Sequence, residues 1–165
     1  MHTRRIFGEV QYFRQWWLWL VMLLPLADMI WNLYHLWPAN RDSSQHDMIV
    51  LLGIILPLLV LLLFLFMRLE TEIREDGIYV RFFPFHLKFR KYDWREIDKI
   101  YLREYKPIRE YGGWGIRGFG KNRALNVSGN MGLQLELKSG KKLLIGTGRK
   151  DEISHILENQ ASGKQ

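Results

Sequence analysis

Cysteine is absent from the 165 residues, which excludes disulfide staples, thiol catalysis and thiolate metal sites. Negative charge is the scarcer sign: 17 Asp or Glu stand against 24 Lys or Arg, a formal net charge of +7. Proline occurs only five times, so most turns have to be set by the 14 glycines. Missing as well are a nucleophile with a paired base, an intact cofactor motif and any His, Asp or Glu spacing that suits a metal. The expectation is a protein that is not an enzyme and carries no cofactor. No nucleic-acid motif accompanies the positive charge, so no nucleic acid is expected as a partner.

What is present falls into three stretches. Residues 16–37 form a first apolar run of 22 residues, ~33 Å long as a helix, with Trp16, Trp17 and Trp19 at one end and Trp31, Tyr34 and Trp37 at the other. Residues 48–67 form a second run of 20 residues without a charge, interrupted only by Pro57. Read together, with 38–47 as an outer loop, they predict a transmembrane helical hairpin and a lipid bilayer as partner. Arg4, Arg5 and Arg14 precede the hairpin and Arg68, Arg74 and Arg81 follow it, whereas the loop holds Arg41 alone. That asymmetry predicts a multi-pass protein of the cytoplasmic (inner) membrane with both termini cytoplasmic. Residues 1–15 mix Phe7, Val10, Tyr12 and Phe13 with Glu9, Gln11 and Arg14, a pattern expected to lie along the interface.

Behind residue 67 the pattern changes to the period-2 alternation of half-buried strands. Ile78, Val80 and Phe82 point one way after the Asp76-Gly77 turn; Phe85, Leu87 and Phe89 alternate with His86, Lys88 and Arg90. Leu133, Leu135 and Leu137 return through Ser139-Gly140 to Leu143 and Ile145, a hairpin. Ile153, Ile156 and Leu157 make an apolar stripe on a helix expected over 149–160, with His155 on its exposed side. The fold class predicted is α+β: the helical hairpin, then over 68–165 a small curved antiparallel sheet or partial barrel closed by a C-terminal helix.

The 68–165 stretch resembles a bacterial pleckstrin-homology-like domain. The matching features are Asp76-Gly77-Ile78-Tyr79-Val80, then Tyr92-Asp93-Trp94-Arg95-Glu96-Ile97, then Tyr111-Gly112-Gly113-Trp114-Gly115-Ile116-Arg117, in that order. With Glu9-Val10-Gln11-Tyr12-Phe13-Arg14 ahead of the first run, the whole chain is similar to uncharacterised bacterial membrane families with two spans before such a domain. The resemblance implies seven strands with a C-terminal helix and a role in binding or scaffolding, and it carries no catalytic residues.

Three groups of residues are candidate sites. Gly115-Ile116-Arg117-Gly118-Phe119-Gly120-Lys121-Asn122 satisfies a phosphate-binding loop up to its last position, where Asn122 replaces the magnesium-ligating hydroxyl, and no helix-forming sequence follows. It reads as a glycine-rich loop. Residues 81–123 hold 12 Lys or Arg against 5 Asp or Glu, a surplus equal to that of the whole chain. Lys88, Arg90, Lys91 and Lys106, with Arg109, Arg117, Lys121 and Arg123, are its least paired members and the expected lipid or partner surface. Asp28, Asn32 and His35 share one face of the first run as a possible intramembrane polar seam, more plausible as hydrogen bonding between helices than as a proton relay. Asp42, His46 and Asp47 read as solvated loop polarity rather than a metal site. The function expected is a membrane-anchored, non-enzymatic interaction or regulatory module that presents its β domain to an unidentified protein. The alternative is a module that binds anionic lipid headgroups, and a membrane enzyme ranks last.

Overall fold

The computed structural model describes residues 3–36 and 44–162. The chain divides into two units: Arg14–Phe66, and Met1–Phe13 together with Met67–Gln165.

The first unit is a helix pair, α1 (Trp16–Leu36) and α2 (Ser44–Phe66). Gly53 lets them approach, since a Cβ there would meet the Met29 methyl at 2.6 Å. Many large apolar side chains remain uncovered within this unit, Trp16 at 73% and Leu56 at 66% exposure among them. The two apolar runs do form helices, but among the described residues no helix is long and apolar enough to cross a membrane. In α1 the run is broken by Asp28, Asn32 and His35. The expected transmembrane hairpin, its multi-pass inner-membrane location and its topology are therefore not supported. Of the expected outer loop 38–47, residues 38–43 with Asp42 and the side chains of His46 and Asp47 lie outside the described residues, and 44–47 are the start of α2.

The second unit holds two sheets. The first has the order β1-β2-β3-β4, built from Arg5–Tyr12, Arg68–Arg74, Gly77–Phe83 and Arg90–Asp93. The segment expected along an interface is thus β1, an edge strand running antiparallel to β2 from Arg5↔Arg74 to Tyr12↔Arg68. The reason lies in its side chains: Phe7 and Glu9 alternate with exposed or half-buried neighbours and turn inward, as a strand requires. Ile78, Val80 and Phe82 of β3 are fully buried, with Leu69 and Ile73 of β2 opposite them in register. The alternation at Phe85 and Leu87 does not continue the sheet. Pro84 has no N–H to donate, the His86 N–H turns back to the Phe82 carbonyl at 2.8 Å, and residues 84–89 form turns with Phe85 and Leu87 exposed.

The second sheet has the order β5-β8-β9-β7-β6. It comprises β5 (Ile97–Glu104), β6 (Gly115–Arg117), β7 (Asn122–Asn126), β8 (Met131–Leu137) and β9 (Lys142–Gly146). Between β5 and β6 lies the one-turn helix α3 (Pro107–Tyr111), and α4 (Lys150–Ser162) closes the chain, contacting β5 with Ile153 buried. The β8–β9 hairpin pairs Leu135 with Leu143, but β7 and β9 run parallel, Asn122↔Lys142 to Leu125↔Ile145. Nine strands in two sheets with one parallel pair among the described residues replace the single antiparallel, seven-stranded, pleckstrin-homology-like sheet that was expected. The glycine-rich stretch is the β6–β7 hairpin, Gly115↔Asn126 to Arg117↔Ala124, so its glycines turn between strands instead of leading into a helix.

Candidate functional site

A groove of about 660 Å³ opens between β4, at the edge of the first sheet, and β7 and β9 of the second. Three turns frame it, and backbone hydrogen bonds tie them together. The β4–β5 turn closes on itself through the Glu96 N–H to the Asp93 carbonyl at 2.9 Å. The β8–β9 turn is docked on it by the Lys138 N–H to the Glu96 carbonyl, 2.9 Å, and the β6–β7 turn accepts the Lys142 N–H at the Lys121 carbonyl, 2.6 Å. The backbones that carry the lining side chains are therefore held in a fixed relation before any ligand arrives.

The lining is dominated by cations. Arg90 and Lys91 come from β4 and Arg95 from the turn behind it. Lys121 and Arg123 come from the β6–β7 turn and β7, while Lys138, Lys141 and Lys142 come from the β8–β9 turn and the start of β9. Glu96 is the one carboxylate that joins these eight cations in the lining. Two of the eight are already engaged: Lys91 Nζ lies 2.8 Å from Asp76 Oδ2 and 3.1 Å from Asp93 Oδ2, and Lys142 Nζ lies 2.7 Å from Glu136 Oε1. The hydrogen bond from Lys91, with a second from Tyr79, holds the Asp76 carboxyl down at about 2. The remaining six take part in none of the ion pairs formed among the described residues.

Two further groups register this field. Burial lowers the His86 imidazole from its ordinary value of 6.5, and the Arg90 and Arg123 guanidiniums push it the same way. Burial raises the Tyr92 phenol, and the same two arginines oppose it. Arg90 and Arg123 thus act on the same pair of side chains from different sheets.

Of the basic residues singled out from sequence, the fold brings Arg90, Lys91, Lys121 and Arg123 together in the groove. The other four stand apart from its lining. Lys88 is exposed in 84–89, and Lys106 and Arg109 are exposed at α3, where the Lys106 N–H donates to Glu110 Oε1 at 2.8 Å. Arg117 turns back along its own hairpin, donating from Nε to the Trp114 carbonyl at 2.9 Å. Arg95, Lys138, Lys141 and Lys142 were not singled out. The signal for three of them was the run Lys138-Ser139-Gly140-Lys141-Lys142, a basic turn whose Gly140 adopts φ +76°. In α1, Asn32 Nδ2 donates to Asp28 Oδ2 at 3.1 Å, whereas His35 packs against Trp31, ring centroids 4.4 Å apart. Asp28 and Asn32 form a pair, and His35 belongs to an aromatic contact. Asn126, in a glycosylation-like Asn-Val-Ser triplet, is fully buried between the Gly115 N–H and the Tyr105 hydroxyl.

Such a groove offers several N–H donors on flexible stems and a guanidinium from each sheet, a set suited to oxyanions that carry more than one charge. No curated protein and no solved structure matches the chain. The resemblance to two-span bacterial families with a pleckstrin-homology-like domain is not supported by the family found or by the strand order. The short motifs behind it, Asp76-Gly77-Ile78 among them, are turn and strand-start signals that many sheets share. The family model that matches is that of a family of unknown function, DUF6141; it covers residues 1–162, and the chain belongs to that family.

Proposed function

We propose that the protein is a non-enzymatic binding module whose groove between β4, β7 and β9 captures a phosphate-bearing ligand. The observation that carries this reading is the lining itself: eight cations and one carboxylate, with six of the cations in no ion pair among the described residues. Like charges gathered this closely repel one another, and a bound polyanion relieves that repulsion while accepting charge-assisted hydrogen bonds, each worth about 1.5–3 kcal/mol. The turns that carry the cations are fixed to one another by main-chain hydrogen bonds, so binding has the side-chain stems to order and not the backbone.

The test is calorimetric titration of the full chain with inorganic pyrophosphate over a salt series. Saturable binding that weakens as salt rises is expected, with Lys121→Ala plus Arg123→Ala weakening it by tenfold or more, about 1.4 kcal/mol per factor of ten. Lys106→Ala plus Arg109→Ala, which removes the same charge outside the groove, should leave affinity within about twofold. Equal losses from the two pairs would show that net charge alone is at work and would reject the groove.

A further inference from the structure

The β6–β7 turn carries one side chain for which the fold has no use. Phe119 is 97% exposed, the most exposed large apolar residue among those described. Gly118 and Gly120 flank it in left-handed conformations, φ +77° and +65°, so the turn is tight and the phenyl ring stands at its apex without a side chain on either side. Beyond those glycines come Arg117 and Lys121, both exposed, and Gly120 and Lys121 are themselves part of the groove lining. A second apolar projection accompanies the first. Residues 84–89 expose Phe85 at 57% and Leu87 at 72% next to Lys88, and His86 between them lies within the field of Arg123 on β7.

We propose that the tip of the β6–β7 hairpin is a lipid-contact element, with Phe119 entering an anionic lipid surface while the neighbouring groove cations hold its phosphate headgroups. The inference rests on the phosphate-binding reading of the groove and names lipid as the source of the phosphate. Charge complementarity carries it. An apolar tip ringed by cations fits a surface whose outer layer is anionic and whose interior, a few ångströms deeper, is hydrocarbon. Each cation brought to such a surface contributes a factor of about five in affinity, and burying one phenyl ring contributes about tenfold or more. A pocket in a protein partner would also receive the ring, and the experiment separates the two.

Because the sequence has no cysteine, Phe119→Cys in the full chain places an environment-sensitive thiol dye at the tip alone. Ile108→Cys, 70% exposed on α3 and outside the groove lining, serves as the control position. Each labelled protein is mixed with phosphatidylcholine vesicles with and without phosphatidylglycerol. Expected are a blue shift at position 119 with the anionic vesicles, quenching there by bromine-labelled lipid chains, no comparable change at position 108, and loss of the tip signal on Lys121→Ala plus Arg123→Ala. In the unlabelled chain, Phe119→Ser should weaken vesicle binding on the order of tenfold while leaving pyrophosphate affinity unchanged. Pyrophosphate binding without any tip response to anionic vesicles would overturn the lipid inference and leave the groove standing, favouring a protein or soluble ligand. Loss of both would overturn the groove reading first. Equal shifts at positions 119 and 108 would mean unspecific adsorption and would also overturn the inference.

Discussion

His86 is the side chain through which the groove can be read. Its Nδ1 is buried without a hydrogen-bond partner among the described residues, and burial together with Arg90 and Arg123 keeps the ring neutral below its ordinary 6.5. The sign of the linkage follows. The unfolded chain binds the proton more readily, so this group's contribution to stability is present above about 6.5 and lost as pH falls through the folded value. An anion placed against Arg90 and Arg123 offsets their charge and allows the ring to protonate, so ligand and proton assist each other. The imidazole signals of His86, followed by NMR against pH, should titrate below the ordinary value in the free protein and move upward when pyrophosphate is bound. An unchanged midpoint at saturating pyrophosphate would place the ligand elsewhere.

At the scale of elements, the β6–β7 hairpin depends on Gly118. With φ at +77°, a Cβ there would run into the carbonyl oxygen of Asn122, whereas a Cβ at Gly120 has nothing within 4 Å. Gly118→Ala is therefore expected to cost about 1–3 kcal/mol and to lower the Tm by several degrees, with Gly120→Ala costing less. It should also weaken pyrophosphate binding, because Lys121 is positioned by this turn. A Gly118→Ala protein as stable as the parent would contradict the geometry. The same hairpin shows how far the sequence could be read. Its glycine spacing resembled a phosphate loop, and the absence of helix formers after Asn122 correctly argued against the helix such a loop needs. That the strand after the turn would pair in parallel with β9 had no local signal, because it depends on the chain crossing the end of β9 between residues 127 and 130. Strands with a buried face were legible at Ile78-Val80-Phe82 and at the β8–β9 hairpin, where the period of two survives intact. It misled at Phe85 and Leu87, where alternation persisted but Pro84 and the His86 turn had already ended the sheet. For the groove, four of the eight cations were singled out within the basic stretch 81–123, which also holds Arg95. Arg95 sits on the β4–β5 turn, and Lys138, Lys141 and Lys142 sit on the β8–β9 turn and the start of β9; their meeting is a product of tertiary structure, although the basic run at 138–142 was visible.

At the scale of the whole molecule, strand β1 is separated from its partner β2 by the entire helix pair, so residues 5–12 read as part of an interfacial segment ahead of α1. What joins them to the rest is concentrated at Glu9. Its side chain is 8% exposed; Oε2 accepts the Thr147 hydroxyl at 2.7 Å and Oε1 accepts the Gly148 N–H at 2.9 Å, which ties the edge of the first sheet to the turn between β9 and α4. Neighbouring bonds run the same way. Gln11 Nε2 donates to the Gly146 carbonyl at 2.7 Å, and Arg149 donates to the Gly8 carbonyl at 2.8 Å while lying over the Phe7 ring. Removing the carboxylate takes the acceptor from both donors; Gly148 is exposed and its N–H can turn to water, whereas Thr147, 4% exposed, is too enclosed for water to replace the lost oxygen without cost. Glu9→Ala is expected to destabilise the two-sheet unit by about 2 kcal/mol, read as a fall in Tm of roughly 8–15 °C. Glu9→Gln keeps one accepting oxygen and should lose less, since it can still satisfy either Thr147 or Gly148. The surface ion pair Arg149–Glu152 is the comparison, both side chains being about half exposed. Glu152→Ala should change stability by less than about 1 kcal/mol. Thermal unfolding of the three variants followed by near-ultraviolet circular dichroism distinguishes these outcomes. If Glu9→Ala unfolds at the same temperature as Glu152→Ala, the strand ahead of α1 is not part of the cooperative unit that carries the groove.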